Sequence, residues 1–282
     1  MTEDLTRRTD RLRELDTQLR AAGSVLVAFS GGADSAFLLA AATRVLGPQL
    51  VVAGTAVSAS LPADELAAAA AFARSLGVRH LTPATDEMSS AGYRSNAGDR
   101  CYFCKAELLD VLWPLATSHG LAHVATGTNA DDARAGFRPG IRAAAERGAL
   151  TPLLTAGLTK DDVRRASRDL GLVTWDKPAA ACLSSRIAYG VEVTPQRLAR
   201  VERAELTLRA ALDGAGIDVR NLRVRDLGDT ARVEVDVELV EAVIGRPDLL
   251  EGIDGFAAVE VDARGFRSGA MNELLAEPAR WR

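Results

Sequence analysis

The residues with the clearest chemistry are Ser30, Gly31, Gly32, Asp34 and Ser35, in the run Val25-Leu26-Val27-Ala28-Phe29-Ser30-Gly31-Gly32-Ala33-Asp34-Ser35. The apolar start suits a buried parallel strand. The glycines let the backbone turn sharply and approach a ligand closely. Asp34 and Ser35 then open an apolar segment of helical period. The turn's amides and the helix N-terminus together make a concavity for an anion. Ser30 and Ser35 add hydroxyls, and Asp34 can hold a Mg2+ ion that phosphates share. No lysine follows the glycines, so this is not the Gly-x-x-x-x-Gly-Lys-Ser/Thr loop, and the spaced glycines of a dinucleotide fingerprint are absent.

A second set is Cys101, Cys104 and Cys182, the three cysteines of the chain. A structural zinc site wants four ligands, and His80, His119 and His123 do not stand at ligand spacing. A Cys101–Cys104 disulfide would be redox chemistry, but the thioredoxin context is missing. Three thiolates can hold a [4Fe–4S] cluster by three of its irons, leaving the fourth iron open to an exogenous ligand such as sulfide. Three unrelated thiols acting as small apolar residues are the remaining alternative.

These residues need a scaffold. A first helix spans about 4–22, with Leu5, Leu12, Leu15 and Leu19 at helical spacing. Strands are predicted at 24–29, 50–55, 78–81 and 122–125, with helices at 34–46 and 62–76 and another from Cys101 to about 118. Alternating strands and helices predict βαβ units, a parallel sheet and helices on both faces. The polar stretch 88–100 reads as a loop. Thr159 is an N-cap with Asp162 three residues on. An irregular segment starts at Trp175 and runs through Cys182 and Arg186. The expected boundary lies here, giving domains 1–190 and 191–282. In the second, a helix at 195–212 precedes a hairpin, 222–225 and 231–235, across Gly228-Asp229, and a strand at 257–261 completes a small α+β unit.

The chain has 282 residues, 48% hydrophobic and 26% charged, with net charge -4. This is ordinary for a globular protein, and no overall basic field exists to gather nucleic acid. The basic residues are all arginines except Lys105, Lys160 and Lys177. No apolar run is long enough for a membrane span, and residues 2–5 do not open a signal peptide. A cytoplasmic location is expected.

Ser-Gly-Gly-x-Asp-Ser resembles the PP-loop of the ATP pyrophosphatases, the group that includes NAD synthetase, GMP synthetase and tRNA-thiolating enzymes. The resemblance implies a doubly wound α/β domain of the adenine nucleotide α-hydrolase-like type, ATP bound at Ser30, Gly31, Gly32, Asp34, Ser35 and Gly127, and Mg2+ at Asp34. It implies cleavage of ATP between the α and β phosphates, with AMP placed on a substrate oxygen.

Five further stretches sharpen this. They are Gly127-Thr128-Asn129-Ala130-Asp131-Asp132, Arg138-Pro139-Gly140, Ala156-Gly157-Leu158-Thr159-Lys160, Thr174-Trp175-Asp176-Lys177-Pro178 and Ala181-Cys182-Leu183-Ser184-Ser185-Arg186-Ile187-Ala188-Tyr189-Gly190. In that order they resemble the LarE family, ATP-dependent sulfur transferases of nickel-pincer nucleotide biosynthesis for lactate racemase. The resemblance runs from about Ser24 to about Val235. It implies a pyridinium dicarboxylate mononucleotide substrate, adenylated on a carboxylate and converted to a thiocarboxylate. Some members give up the sulfur of one cysteine, at the position of Cys182. Others carry Cys-x-x-Cys as well and are associated with a cluster on three cysteines, and Cys101 and Cys104 put this sequence with them. The catalytic candidates are then Cys182 and Asp34.

The substrate phosphate needs cations. Arg186, Arg223 and Arg225 are candidates beside Ser185, because guanidinium binds phosphate bidentately. Arg223 and Arg225 share a strand face, and Glu234 opposite can pair with one of them or bind a metal. A sulfide or persulfide donor is implied, no nucleic acid or membrane partner is expected, and the second domain is expected to serve substrate binding or homo-oligomer formation. The rival reading is a PP-loop tRNA thiolase with the same cluster, which needs a basic RNA-binding surface.

Overall fold

The computed structural model describes residues 2–134, 138–178 and 181–275. These form two compact units: the first holds the residues up to Glu87 and those from Cys101 to Pro178, the second Met88–Arg100 and the residues from Ala181 on.

In the first unit, helix α1 (Thr2–Ala22) precedes strand β1 (Val25–Ala28), helix α2 (Ala33–Leu46), β2 (Val51–Gly54), α3 (Ala63–Ser75), β3 (Arg79–Leu81) and, after the helix Arg100–Ser118, β4 (His123–Thr126). The four strands are parallel in the order β3-β2-β1-β4. Val25 lies opposite Val51 on one side and His123 on the other. Side chains alternate along a strand, and here both faces are covered. Val25, Val27, Val51, Ala53 and Ala125 pack with Leu15, Leu19, Leu38, Leu39 and Phe72 on one face. Leu26, Ala28, Val52 and Val124 pack with Leu109, Leu112 and Ala116 on the other. That is why β1 and β2 read as unbroken apolar runs. Burying each leucine contributes on the order of 1.5–3 kcal/mol. The doubly wound parallel sheet is therefore as expected. Connections leave β1 toward β2 on one side, and β4 lies on the other, so the carboxyl ends of β1 and β4 flank a topological switch point, where open α/β sheets bind ligands. Among the described residues no helix is long and apolar enough to cross a membrane.

The second unit contains residues 88–100, whose polar pattern predicts a loop. They are folded instead. Ser90 caps the short helix Ala91–Arg94, and Tyr93 is fully buried. Buried Asn96 donates to the carbonyls of Ile187, Ala188 and Val191 at 3.2, 2.8 and 2.9 Å. These long-range bonds, invisible in a polar local pattern, order the segment. The helix Pro195–Gly214, capped by the Thr194 side chain, covers a small mixed sheet. Strands β5 (Leu222–Asp226) and β6 (Thr230–Val235) form the expected hairpin, and β7 (Ala258–Val261) adds to β6 in parallel. Gly228 turns the hairpin at φ 101°, a conformation that favours glycine. Leu208, Leu212, Val224, Val233 and Val243 form its core.

Candidate active site

The turn after β1 is held by its own hydroxyls. Ser35 Oγ donates to the Gly32 carbonyl at 3.1 Å and accepts from the Ser30 amide at 3.3 Å. Ser30 Oγ and Ser35 Oγ lie 3.1 Å apart. Gly31 has φ 71°, so the turn needs a residue without a Cβ. Among the described residues the amides of Gly31 and Gly32 have no backbone partner, and α2 starts at Ala33 with three further open amides. Together they make an anion-binding concavity at the positive end of a helix dipole.

Gly127 closes the turn from β4. A Cβ there would meet Ser35 N at 2.8 Å and the Asp34 carbonyl carbon at 3.0 Å. The turn faces an open cavity of about 310 Å³, lined by Ser30, Gly32, Asp34, Ser35, Thr55, Ala56, Lys105 and Gly127, with Thr126, Thr128 and Asp132 among the other lining residues. The six residues expected to bind the nucleotide, Ser30, Gly31, Gly32, Asp34, Ser35 and Gly127, thus meet in one turn region.

Local sequence pattern does not reveal the cations around this turn. Lys160, whose amide donates to Asp131 Oδ2 at 2.8 Å, donates its ammonium to Asp34 Oδ2. Asp34 Oδ1 is buried and has no hydrogen-bond partner among the described residues. Lys177 donates to the Gly31 carbonyl at 3.2 Å and to Glu65 Oε2 at 2.6 Å. Lys105 lines the cavity; burial pushes its pKa down, while Cys104, Cys101 and Asp132 act in the opposite direction. The signal was present: a chain that uses arginine for every other basic position keeps its three lysines for this turn. A compact ammonium on a flexible stem fits a crowded phosphate site that a planar guanidinium does not.

Behind the cavity, Thr55 Oγ1 donates to the Phe29 carbonyl at 2.6 Å and lies 2.8 Å from His80 Nε2. With its proton given to Phe29, Thr55 accepts from an Nε2–H. Burial, with Arg74 nearby, lowers the His80 pKa, so the ring is held neutral.

All three cysteines are free thiols. Cys101 and Cys104 lie one turn apart on the helix Arg100–Ser118, Cys101 exposed and Cys104 half-buried. Spacing of i, i+3 puts both sulfurs on one helix face, which suits two ligands of one group. Cys182 belongs to the second unit and precedes the short helical turn Leu183–Arg186, its Sγ 2.9 Å from Ser184 Oγ. Among the described residues no group of three His, Cys, Asp or Glu stands ready as a metal site.

In the second unit the expected phosphate residues gather around two glutamates. Arg186 is buried, its Nε and Nη2 pairing with Glu205 at 2.9 and 3.0 Å, and its Nη1 donates to the Ala181 and Cys182 carbonyls. Arg225 pairs with Glu234 at 2.7 Å and reaches the Ser185 carbonyl at 3.4 Å. Glu234 therefore serves as an ion-pair partner. Ser185 Oγ donates to the Cys182 carbonyl at 2.7 Å. Arg223 lies over the Phe266 ring at 5.4 Å. Burial, then the charge of Arg186, lowers its pKa to about 10. Arg186 and Arg225 add their charges beside Arg223, and three buried arginines this close are an electrostatic setting that favours an anion.

A parallel sheet with an open Ser-Gly-Gly-x-Asp-Ser turn at its switch point defines an α/β nucleotide enzyme of the PP-loop class. Comparison with known proteins narrows this. The chain is 36% identical, over 262 residues and 90% of each protein, to the pyridinium-3,5-bisthiocarboxylic acid mononucleotide synthase of Lactiplantibacillus plantarum. It is 41% identical over 278 residues, 97% of this chain and the whole of the relative, to an uncharacterised protein of Synechocystis sp.. A protein of Methanocaldococcus jannaschii, also uncharacterised, is 27% identical over 175 residues, 61% of this chain and 66% of the relative. No family model matches. The chain belongs to the family of the Lactiplantibacillus synthase, the LarE family of sulfur-transferring enzymes that the motifs resemble.

Proposed function

We propose that the protein is an ATP-dependent sulfur transferase that converts a carboxylate of pyridinium-3,5-biscarboxylate mononucleotide to a thiocarboxylate, for nickel-pincer nucleotide biosynthesis. The observation that carries this is the match to the synthase along nine-tenths of both chains, joined to a cavity whose wall is the open phosphate turn. A substrate carboxylate oxygen attacks the α-phosphorus, and the bond to the β-phosphate oxygen breaks, releasing pyrophosphate. The acyl adenylate is then attacked at its carbonyl carbon by a sulfur nucleophile, and AMP leaves with the former carboxylate oxygen. The first step makes the carboxylate oxygen part of a good leaving group and the second expels it as AMP, so one hard substitution becomes two easier ones.

The chain's residues divide this work. The amides of Gly31 and Gly32 and the start of α2 hold phosphate oxygens. Asp34 Oδ1, buried and unpartnered, fits a Mg2+ ligand. Lys160 and Lys105 balance the charge of the departing pyrophosphate. Arg223 and Arg225 bind the phosphate of the mononucleotide, with Arg186 and Ser185 shaping that site. A [4Fe–4S] cluster on Cys101, Cys104 and Cys182 would supply sulfur repeatedly from a sulfide or persulfide donor; the free thiols one turn apart on one helix face support it. A cytoplasmic location is part of this reading. The test is anaerobic purification with iron and sulfide assays, beside an assay of AMP and pyrophosphate release. Iron content and activity should fall together when any one cysteine is replaced. Full multi-turnover activity in Cys101→Ala and Cys104→Ala would leave Cys182 as the sulfur carrier; release of ADP would overturn the reading.

A further inference from the structure

The connection from β2 to α3 carries Thr55 and Ala56, and Leu61 farther on, which line the nucleotide cavity. Its far side is tied down by one carboxylate. Glu87 is buried. Its Oε1 accepts from Ser58 Oγ at 2.5 Å and Ser60 Oγ at 2.8 Å, and its Oε2 accepts from Thr85 Oγ1 at 3.0 Å. The Ser58 hydroxyl also accepts from the Ser60 amide at 3.2 Å. The backbone repeats the tie: Val57 N donates to the Pro83 carbonyl at 2.8 Å, and Thr85 N to the Val57 carbonyl at 3.1 Å. Among the described residues the amide and carbonyl of Ala56, between these bonds, have no backbone partner. An extended residue shows alternate backbone groups to opposite sides, so with Val57 bonded outward the Ala56 pair is left for the cavity.

A backbone N–H and C=O on one residue form a donor and an acceptor at fixed spacing. That pattern matches the adenine edge, which offers the N1 acceptor beside the N6 donor. Guanine offers a donor at N1 and an acceptor at O6, the reverse, and would face donor with donor. We propose that Glu87 is a positioning residue that sets the base specificity of the ATP site: its bonds to Ser58, Ser60 and Thr85 hold Ala56 where its backbone selects adenine over guanine. The inference rests on the ATP-cleaving reading. Buried polar groups left unpaired by the wrong ligand are what make such selection steep, and a loose strand would lose it while leaving the phosphate turn intact.

The test is equilibrium binding of ATP, GTP and inorganic tripolyphosphate to the full chain, for the wild type, Glu87→Gln and Glu87→Leu, with thermal midpoints recorded. The wild type should prefer ATP. Glu87→Gln keeps an oxygen for Ser58 and Ser60 and should keep the preference. Glu87→Leu should lose roughly tenfold in ATP affinity, about 1.4 kcal/mol, and most of its preference over GTP, with tripolyphosphate binding unchanged. If Glu87→Leu does not fold, Ser58→Ala combined with Ser60→Ala reads the same clasp. Unaltered ATP/GTP preference in either folded variant, or equal losses for ATP and tripolyphosphate, would overturn the proposal. A wild type that binds no ATP would instead sink the ATP-cleaving reading itself.

Discussion

Lys160 holds one oxygen of the Asp34 carboxylate, and the other oxygen is buried without a hydrogen-bond partner among the described residues. The two residues are 126 positions apart. They meet because the helix Lys160–Asp169 packs beside α2 on the same sheet face. Its Thr159–Asp162 capping box fixes where that helix begins, and so where Lys160 points. The ammonium lets a carboxylate stand at an anion site.

Replacing either partner should separate their roles. Asp34→Ala removes the proposed Mg2+ ligand and should abolish pyrophosphate release. Lys160→Met leaves the turn intact but removes a charge-assisted phosphate contact, a loss of about 1.5–3 kcal/mol, or roughly ten- to hundredfold in ATP affinity. Calorimetric titration with ATP and Mg2+ checks both; unchanged ATP affinity in folded Lys160→Met would remove Lys160 from the site.

Gly127→Ala should act through the turn. Its Cβ would meet the backbone at Ser35 and Asp34, 2.8 and 3.0 Å away, and backbone cannot swing aside as a side chain can. The expected result is a loss of about 1–3 kcal/mol in stability with ATP binding weakened further. A variant with wild-type ATP affinity would mean the turn is not held from β4.

Much of this was legible in the chain. The unbroken apolar runs of β1 and β2 announced strands buried on both faces, and Gly31-Gly32 announced the turn. What was not legible depended on distant partners. Residues 88–100 look like a loop because their order comes from Asn96 and its bonds to 187–191. Arg186 looked like a ready phosphate ligand, yet its donors hold Glu205 and two backbone carbonyls. Lys160 and Lys177 stand in the stretches 156–160 and 174–178, but no local pattern says that both ammonium groups return to the turn after β1.

Arg223 gives a test of the second unit. Burial and Arg186 lower its pKa to about 10, so its charge is held at a cost that a bound anion would offset. Inorganic phosphate should raise the thermal midpoint of the wild type. In Arg223→Met with Arg225→Met that increment should shrink to what the turn after β1 contributes, and substrate affinity should fall roughly ten- to hundredfold. An undiminished phosphate effect in the double variant would place the anion elsewhere.

The neutral His80 predicts a pH dependence. Its folded pKa lies below the ordinary 6.5, so between the two values the unfolded chain binds more protons. Stability is therefore retained above about pH 6.5 and is lost as the pH falls from there toward the folded pKa. Thermal midpoints between pH 7.5 and roughly pH 5 should drop less steeply in His80→Asn. Identical slopes would show that other groups govern the acid limb.

The central claim is exchange of oxygen for sulfur through an acyl adenylate. It is tested most directly by mass spectrometry of a reaction containing the anaerobic protein, Mg2+, sulfide, pyridinium-3,5-biscarboxylate mononucleotide and ATP, with the substrate carboxylates labelled by 18O. The account predicts a product with one carboxylate oxygen replaced by sulfur, pyrophosphate in equal amount, and AMP carrying one 18O atom. AMP without the label, or thiocarboxylate formed alongside ADP, would contradict it.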